Sequence, residues 1–225
     1  MANFKFLQTQ AYERLKAMIF GKELSYDTIY SETRLAQDFG ISRTPMRDAL
    51  QRLSQEGYID VVPSKGFCLH RITPKEVVDI FTIRAAIDGY CAQQIAQNIS
   101  SDRARATVAQ LEKSVEHMER IEQTTRSISD FVEEDFTFHQ QLVGYVGNDT
   151  FAELFSVYRY RSMELARDSL KEKGRMEGAL KEHRDILEAI RSGDLVSTYQ
   201  MVMTHMTVPA DINLLRLYSA EYSPD

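Results

Sequence analysis

Cysteine and long apolar runs are scarce in this chain, and each scarcity excludes a class of protein. Only Cys68 and Cys91 occur among the 225 residues, too few for a disulfide framework and without Cys-x-x-Cys spacing. No apolar run approaches the ~18 residues of a membrane span, and the first residues lack the segments of a signal peptide. We therefore expect an unexported, cytoplasmic protein with no membrane partner.

Net positive charge is also lacking, which by itself disfavours binding to nucleic acid because phosphate contacts need cations. The net charge is −6 overall, but it is distributed unevenly along the chain. Residues 1–71 carry 10 Lys/Arg and 8 Asp/Glu, a net +2, whereas residues 72–225 carry 17 and 25, a net −8. We expect two domains, of which only the first contacts DNA.

Helical periodicity and helix breakers predict three helices in the first domain. The first ends near Gly21, the second spans about 31–39 and stops at Gly40, and the third starts at the N-cap Ser42 and ends at Gly57. Two β-rich segments, 58–62 and 67–71, then flank the turn residues 63–66, which is typical of a hairpin. The order is three helices followed by a β-wing.

Residues 72–74 predict a short linker, with Thr73 as an N-cap and Pro74 at the first helical position. Everything beyond it indicates helix, and no proline occurs between Pro74 and Pro209. The expected helices span 75–98, 101–124, 128–146, 149–170, 174–191 and 194–218. The predicted fold class is mostly α, an N-terminal winged helix-turn-helix domain over 1–71 followed by an all-helical bundle over 75–220.

The third helix has the features of a DNA-recognition helix. Arg43 and Arg47 are four residues apart and share a face beside the apolar core stripe. Arginine forks suit guanine or phosphate, Ser42 and Thr44 can bond phosphate, and a helix N-terminus favours an anion. Two arginines on a short helix can equally be solvated surface, but the surrounding order of elements favours recognition. In the turn of the wing, Lys65 and Gly66 are candidates for entering an adjacent minor groove.

The segment RLAQDFGISRTPMRDALQRLSQEGY at 34–58, with PSKGF at 63–67, resembles the winged helix-turn-helix of GntR-family bacterial regulators. The resemblance implies that Ser42, Arg43, Thr44 and Arg47 contact DNA and that Gly66 is the wing-tip glycine. Family members often carry an arginine where this chain has Thr33, and the chain offers Arg34 instead as a DNA-contact candidate.

Asp135 and His139 lie at positions i and i+4 of one predicted helix, so both side chains can bind the same ion. His183 and His205 would come from two further helices. Three imidazoles and a carboxylate suit zinc, nickel, iron or manganese, with coordination positions left for water or an anion. A single helical histidine is more often a surface or core residue, and spacing alone does not choose the metal.

The run DFTFH at 135–139, followed by GN at 147–148, EH at 182–183, GD at 193–194 and then His205, resembles the FadR-type (FCD) ligand-binding domain. The resemblance implies that Asp135, His139, His183 and His205 bind a metal that helps to hold a small carboxylate-bearing effector. Arg84 lies where the family often has an arginine, and it could bind the effector carboxylate. An Arg84–Asp88 pair within the helix is the alternative.

Together these features predict a homodimeric transcription regulator, with repression as the expected sign, that reads a near-palindromic DNA operator and answers to a small organic acid. Two alternatives remain. The metal could be purely structural, or the site could belong to a metalloenzyme, although no general acid or base with suitable spacing stands out. The stripe of Leu111, Val115, Met118 and Ile121 fits an intrachain core and a dimer seam equally well.

Overall fold

A computed structural model describes residues 2–221, with side chains from 6 to 219. The chain divides into two compact units, Met1–Ile72 and Thr73–Asp225. The N-terminal unit contains α1 (Ala2–Phe20), α2 (Glu32–Asp38), α3 (Arg43–Gln55), β1 (Ile59–Val62) and β2 (Gly66–Leu69). The predicted winged helix-turn-helix is confirmed, with the second helix and both strands slightly shorter than expected.

Local sequence signals set the ends of α2 and α3. The Ser31 hydroxyl accepts a hydrogen bond from the Arg34 amide, and Gly40 follows α2 in a left-handed conformation at φ 67°. Ser42 occupies the N-cap position of α3, but its hydroxyl does not cap the helix. The buried face of α3 comprises Pro45, Met46, Ala49, Leu50 and Leu53. The two arginines of the predicted recognition face are left exposed.

The wing is an antiparallel hairpin in which Ile59 pairs with Leu69 and Val62 pairs with Gly66. An isolated bridge also joins Tyr30 to Phe67. Gly66 belongs to β2 rather than to the turn, and its φ of 138° is unfavourable for other residues. A Cβ atom at this position would lie 1.9 Å from the Tyr30 carbonyl oxygen. The glycine therefore permits a close approach of two backbones.

The C-terminal unit is all helical within residues 73–221, as predicted. Its helices are α4 (Pro74–Gln97), α5 (Asp102–Gln123), α6 (Ile128–Val146), α7 (Asp149–Val157), α8 (Arg159–Ser169), α9 (Arg175–Ser192) and α10 (Leu195–Glu221). Thr73 is the N-cap of α4 and forms a capping box with Glu76, and Pro74 takes the first helical position, which confirms both expectations. Between residues 2 and 221, none of the helices combines the length and the apolar composition that a membrane-spanning segment needs.

The core of this unit lies where α4 packs against α6, α9 and α10, while α5 packs against α6 and α9. Large apolar side chains with almost no exposure fill it, among them Ile80, Ile95, Phe131, Phe138, Leu142 and Ile186. The stripe on α5 is buried in the same core, which resolves the alternative left open by the sequence. It is not available as a dimer seam.

The single helix predicted over 149–170 is wrong, because the chain bends at Tyr158 and forms two helices, α7 and α8. Tyr158 has φ −88° and ψ 0°, yet no glycine or proline marks this bend. Side chains on both sides of it pack against the same aromatic ring. Phe155 from α7 lies 4.6 Å from the Phe136 ring, and the Arg159 guanidinium at the start of α8 lies over the same ring.

Pro209 stands inside α10, one turn after His205. Proline has no amide hydrogen, so it cannot donate the helical bond that the carbonyl of the residue four positions earlier would accept. The Asn213 side chain stabilises this turn by donating to the carbonyls of Pro209 and Leu165. The carbonyl that lacks this helical bond is that of His205, a predicted metal ligand.

We expect Gly66→Ala to destabilise the N-terminal unit by about 3 kcal/mol or more, because the methyl group meets the Tyr30 carbonyl. Gly40→Ala is the matched control. Its φ is also positive, but nothing lies within 4 Å of the added Cβ, so only the conformational cost of about 1–2 kcal/mol applies. Chemical unfolding of the full chain measures both, and equal losses would show that the close approach at Gly66 is not limiting.

Candidate metal centre and DNA-contact surface

Four predicted ligands from three helices meet in the interior of the C-terminal unit. α6 contributes Asp135 and His139 from adjacent turns of one face, α9 contributes His183, and α10 contributes His205. One side-chain donor atom of each residue lies within 4.8 Å of the other three. The three imidazoles are buried, and Asp135 is nearly so. This cluster could hold a metal ion.

The shorter separations suit a single small cation. His139 Nε2 lies 3.1 Å from His205 Nε2, and His183 Nε2 lies 3.2 Å from Asp135 Oδ1. Asp135 Oδ1 is also 3.9 Å from His139 Nε2 and 4.0 Å from His205 Nε2. Two donors that are each about 2.1 Å from one ion are at most about 4.2 Å apart. These four distances satisfy that limit.

The other nitrogen of each imidazole faces an acceptor outside the cluster. His183 Nδ1 lies 2.8 Å from the Ala179 carbonyl oxygen, and His205 Nδ1 lies 2.8 Å from Glu182 Oε2. His139 Nδ1 lies 3.1 Å from Asp88 Oδ2, close enough for electrostatic attraction but without the geometry of a hydrogen bond. These acceptors favour a proton on Nδ1, which leaves the Nε2 lone pairs directed into the cluster.

The cluster therefore places hydrogen-bond acceptor atoms next to one another, with no donor from the described residues between them. With protons on Nδ1, His139 Nε2 and His205 Nε2 oppose each other as lone pairs, and His183 Nε2 faces a carboxylate oxygen. His183 Nε2 is buried and has no hydrogen-bond partner among the described residues. Buried acceptors without donors are costly, and a cation removes that cost. The residues present fit a divalent transition metal.

The protonation states agree with metal binding. Burial lowers the pKa of His205 to about 3, assisted by the neighbouring His183, and burial also lowers the pKa of His139. Burial opposes ionisation of Asp135, but its contacts with the imidazoles outweigh this and lower its pKa. Neutral imidazoles and an ionised carboxylate are the forms that bind metals.

Two buried arginines flank the cluster, and each is paired with one of the outer carboxylates. Arg84 Nη2 lies 3.2 Å from Asp88 Oδ2, and the terminal nitrogens of Arg175 each lie 2.7 Å from a Glu182 oxygen. Burial opposes ionisation of both acids, yet Arg84 helps to lower the pKa of Asp88, and His205 and Arg175 lower the pKa of Glu182. The Arg84–Asp88 pair considered as an alternative is present.

Arg84 and Arg175 also line a cavity of about 20 Å³ that reaches Asp135 and His205. Each arginine is only 7% exposed, and the Nε atom of each lacks a hydrogen-bond partner among the described residues. The cavity is otherwise mostly apolar, with Phe81, Phe131, Leu170, Met206 and Pro209 in its wall. An anionic group placed there would meet two guanidinium groups.

Sequence reasoning assigned no role beside the imidazoles to three residues of this site, Asp88, Glu182 and Arg175. Glu182 directly precedes a predicted ligand, and Asp88 was considered only as a partner for Arg84. Arg175 carried no usable signal, because its contact with Glu182 spans seven positions along α9.

The predicted DNA-contact residues of the N-terminal unit mostly lie at its surface. The exposed ones are Arg34, Ser42, Arg43, Thr44, Arg47 and Lys65. Gly66 is half-buried against Tyr30, which gives it a packing role whether or not it touches DNA. Arg43 and Arg47 both contact the Glu32 carboxylate at the start of α2. Sequence reasoning had not singled out Glu32.

Asp88→Asn should lower metal affinity about 10- to 100-fold, because the acceptor that orients His139 is weakened. Isothermal titration with zinc chloride measures the change. Asp211→Asn, an exposed acid on α10, removes the same charge away from the cluster and serves as the control. Equal zinc affinity in the two variants would contradict a positioning role for Asp88, provided that thermal unfolding shows both to be folded.

Comparison with known proteins identifies both units. The family described as "Bacterial regulatory proteins, gntR family" matches residues 7–69, and the FCD domain matches residues 79–208. The HTH-type transcriptional repressor RspR of Escherichia coli K12 is 30% identical over 194 residues, covering 83% of this chain and 81% of its own. The HTH-type transcriptional regulator YdhC of Bacillus subtilis 168 is 27% identical over 201 residues, covering 87% and 86%.

A solved GntR transcriptional regulator from Rhodococcus sp. RHA1 has the same fold, with a TM-score of 0.69 at 16% identity over 95% of this chain and 98% of its own. The sequence relatives are transcriptional regulators and not enzymes. The chain belongs to the GntR family of bacterial transcriptional regulators and carries a C-terminal FCD domain.

Proposed function

We propose that this regulator is a homodimeric repressor, of the FadR-type branch, controlled by a small organic acid that binds beside a divalent metal in the FCD domain. The proposal rests on one observation, the close approach of buried acceptor atoms from Asp135, His139, His183 and His205. Zinc, nickel, iron and manganese all suit this donor set. The bound ion would supply positive charge to a carboxylate in the adjoining cavity.

DNA contact is assigned to α3 and the wing. Arg43 and Arg47 project from an otherwise well-packed helix, and Arg34, Ser42, Thr44 and Lys65 are exposed in the same unit. A symmetric pair of such helices reads two half-sites, so a near-palindromic operator and a homodimer go together. The relative RspR is described as a repressor, which supports the same sign of regulation here.

Charge balance supports an anionic effector. The two arginines of the cavity contribute two positive charges, while Asp88, Glu182 and Asp135 contribute three negative charges. The imidazoles are treated as neutral ligands. The set is therefore one negative charge short of neutrality when a divalent ion is added, and one carboxylate supplies it. A monocarboxylate suits this balance better than a neutral compound or a dianion.

The size of the cavity suggests how binding is transmitted. A volume of about 20 Å³ accommodates little more than water, which needs roughly 10–15 Å³. An acid of several carbons therefore requires movement of the lining helices, which include α4, α6, α8, α9 and α10. A ligand that binds only the expanded arrangement shifts the population toward it. This links the proposed effector to a conformational change.

The remaining alternative is a regulator with a purely structural ion. Selection from randomised duplexes yields the operator, and fluorescence anisotropy then measures its affinity with zinc chloride alone, with added lactate, and with added lactamide. We expect lactate, but not the uncharged lactamide, to change operator affinity when zinc is present. If a panel of short monocarboxylates, including lactate, leaves affinity unchanged while zinc only raises the unfolding temperature, the ion is structural.

Arg47→Ala should weaken operator binding by roughly 1–3 kcal/mol because a guanidinium is lost from the recognition face. Zinc uptake should stay intact, since the substitution lies in the other unit. Arg105→Ala provides a matched control, because Arg105 is an exposed arginine of the C-terminal unit. Unchanged operator affinity in Arg47→Ala would count against α3 as the recognition helix.

His183→Ala should abolish or strongly weaken zinc binding, because one donor is removed and the Asp135 carboxylate loses its nearest imidazole. Elemental analysis after dialysis measures the bound metal, and His117→Ala, at an exposed histidine on α5, is the control. Operator affinity without added acid reports whether the N-terminal unit remains folded. Full metal occupancy in His183→Ala would rule out the proposed ligand set.

A further inference from the structure

Glu32 lies between the two arginines that α3 offers to DNA. Its Oε1 atom is 3.4 Å from Arg43 Nε and 3.1 Å from Arg47 Nη2, and its Oε2 atom is 3.5 Å from Arg47 Nε. The Glu32 side chain is 21% exposed, whereas the two arginine side chains are 60% and 62% exposed. One carboxylate at the start of α2 therefore contacts both candidate recognition side chains.

The position of this carboxylate is fixed by the local fold. Glu32 is in the first turn of α2, directly after the N-cap Ser31, where the helix dipole favours a negative charge. α2 packs against α3, which brings this turn to the N-terminal part of α3. The carboxylate is thus supplied by a rigid element and not by a loop.

The contacts leave the outer edges of both guanidinium groups free. Glu32 approaches the Nε atom of Arg43, and it approaches the edge of Arg47 formed by Nε and Nη2. Among the residues whose side chains are described, no other partner contacts the edge formed by the two terminal nitrogens of either side chain. Bidentate recognition of guanine O6 and N7 needs one such edge in a defined orientation. The Glu32 carboxylate, which contacts the opposite side of each guanidinium group, restricts the rotation of that group and holds it in the orientation that guanine recognition needs.

The same carboxylate opposes binding that depends on phosphate alone. Sequence-independent affinity comes largely from cations that contact phosphates. Glu32 neutralises part of the charge of both arginines and repels phosphates that approach them. A guanine edge bears no such charge, so this penalty applies more strongly to phosphate contact than to base contact.

We propose that Glu32 is a positioning residue that increases discrimination between operator and other DNA, by orienting Arg43 and Arg47 and by disfavouring their contact with phosphates. The inference rests on the proposed role of α3 in DNA recognition. It goes further by assigning a specificity role to an acidic residue, which would otherwise be expected to weaken DNA binding.

The test compares Glu32→Gln with Asp38→Asn in the full-length protein. Asp38 is exposed at the other end of α2, so its substitution removes the same charge away from the arginines. Fluorescence anisotropy at several salt concentrations gives Kd for the selected operator and for a scrambled duplex. For Glu32→Gln we expect tighter binding to the scrambled duplex and a steeper dependence of Kd on salt concentration. We also expect the specificity ratio, the Kd for the scrambled duplex divided by the Kd for the operator, to fall by about 10-fold, equivalent to about 1.4 kcal/mol.

Glu32→Asp separates the two effects, because it keeps the charge but withdraws the carboxylate from the guanidinium groups. We expect it to leave scrambled-duplex binding near the unmodified value while weakening operator binding. Thermal unfolding verifies that each variant is folded. If the specificity ratio of Glu32→Gln equals or exceeds that of Asp38→Asn, the inference about Glu32 is wrong, while the proposed function still stands. Failure of the unmodified protein to select any operator overturns the proposed function and this inference with it.

Discussion

The C-terminal unit is organised around acceptor atoms that face one another in its interior. The Nε2 atoms of His139 and His205 are 3.1 Å apart, and the Asp135 carboxylate lies 3.2 Å from the Nε2 atom of His183. Each buried acceptor without a donor costs on the order of 1–3 kcal/mol. Since α6, α9 and α10 supply these atoms, a cation that satisfies them also ties the three helices together. An ion at this cluster would therefore couple the positions of α6, α9 and α10.

Two carboxylates and two arginines surround the cluster and extend its network of polar contacts. Asp88 and Glu182 each face an imidazole on one side and an arginine on the other. A buried ion pair alone is weak support for stability, because desolvation offsets most of the attraction. Here each carboxylate also lies against the Nδ1 atom of a candidate metal ligand, and Glu182 forms a hydrogen bond with His205 there. The two arginines keep those carboxylates ionised and in place, and they form part of the wall of the adjoining cavity.

The predictable features were those that short-range rules specify. Thr73 and Pro74 mark a helix start, and Asp135 and His139 share a helix face because they are one turn apart. The bend at Tyr158 was not predictable, because neither a glycine nor a proline marks it. The contacts of Asp88 and Glu182 with the imidazoles were not predictable either, since they depend on helices that meet only in the folded unit. Spacing alone did not bring His183 and His205 to the cluster, and a family resemblance was needed.

The paired arginines lead to an expectation about how the acid and the ion influence each other. A carboxylate that enters the cavity competes with Asp88 or Glu182 for a guanidinium group, which loosens the imidazole that the displaced acid holds. Losing such an outer partner weakens metal binding about 10- to 100-fold, or roughly 1.4–2.7 kcal/mol. Opposite unit charges 4 Å apart attract by about 4 kcal/mol at an effective dielectric constant of 20. Desolvation of the carboxylate offsets part of this attraction. Because coupling between two binding sites is reciprocal, the acid and the ion change each other's affinity by the same factor, and the balance of these two effects sets its sign.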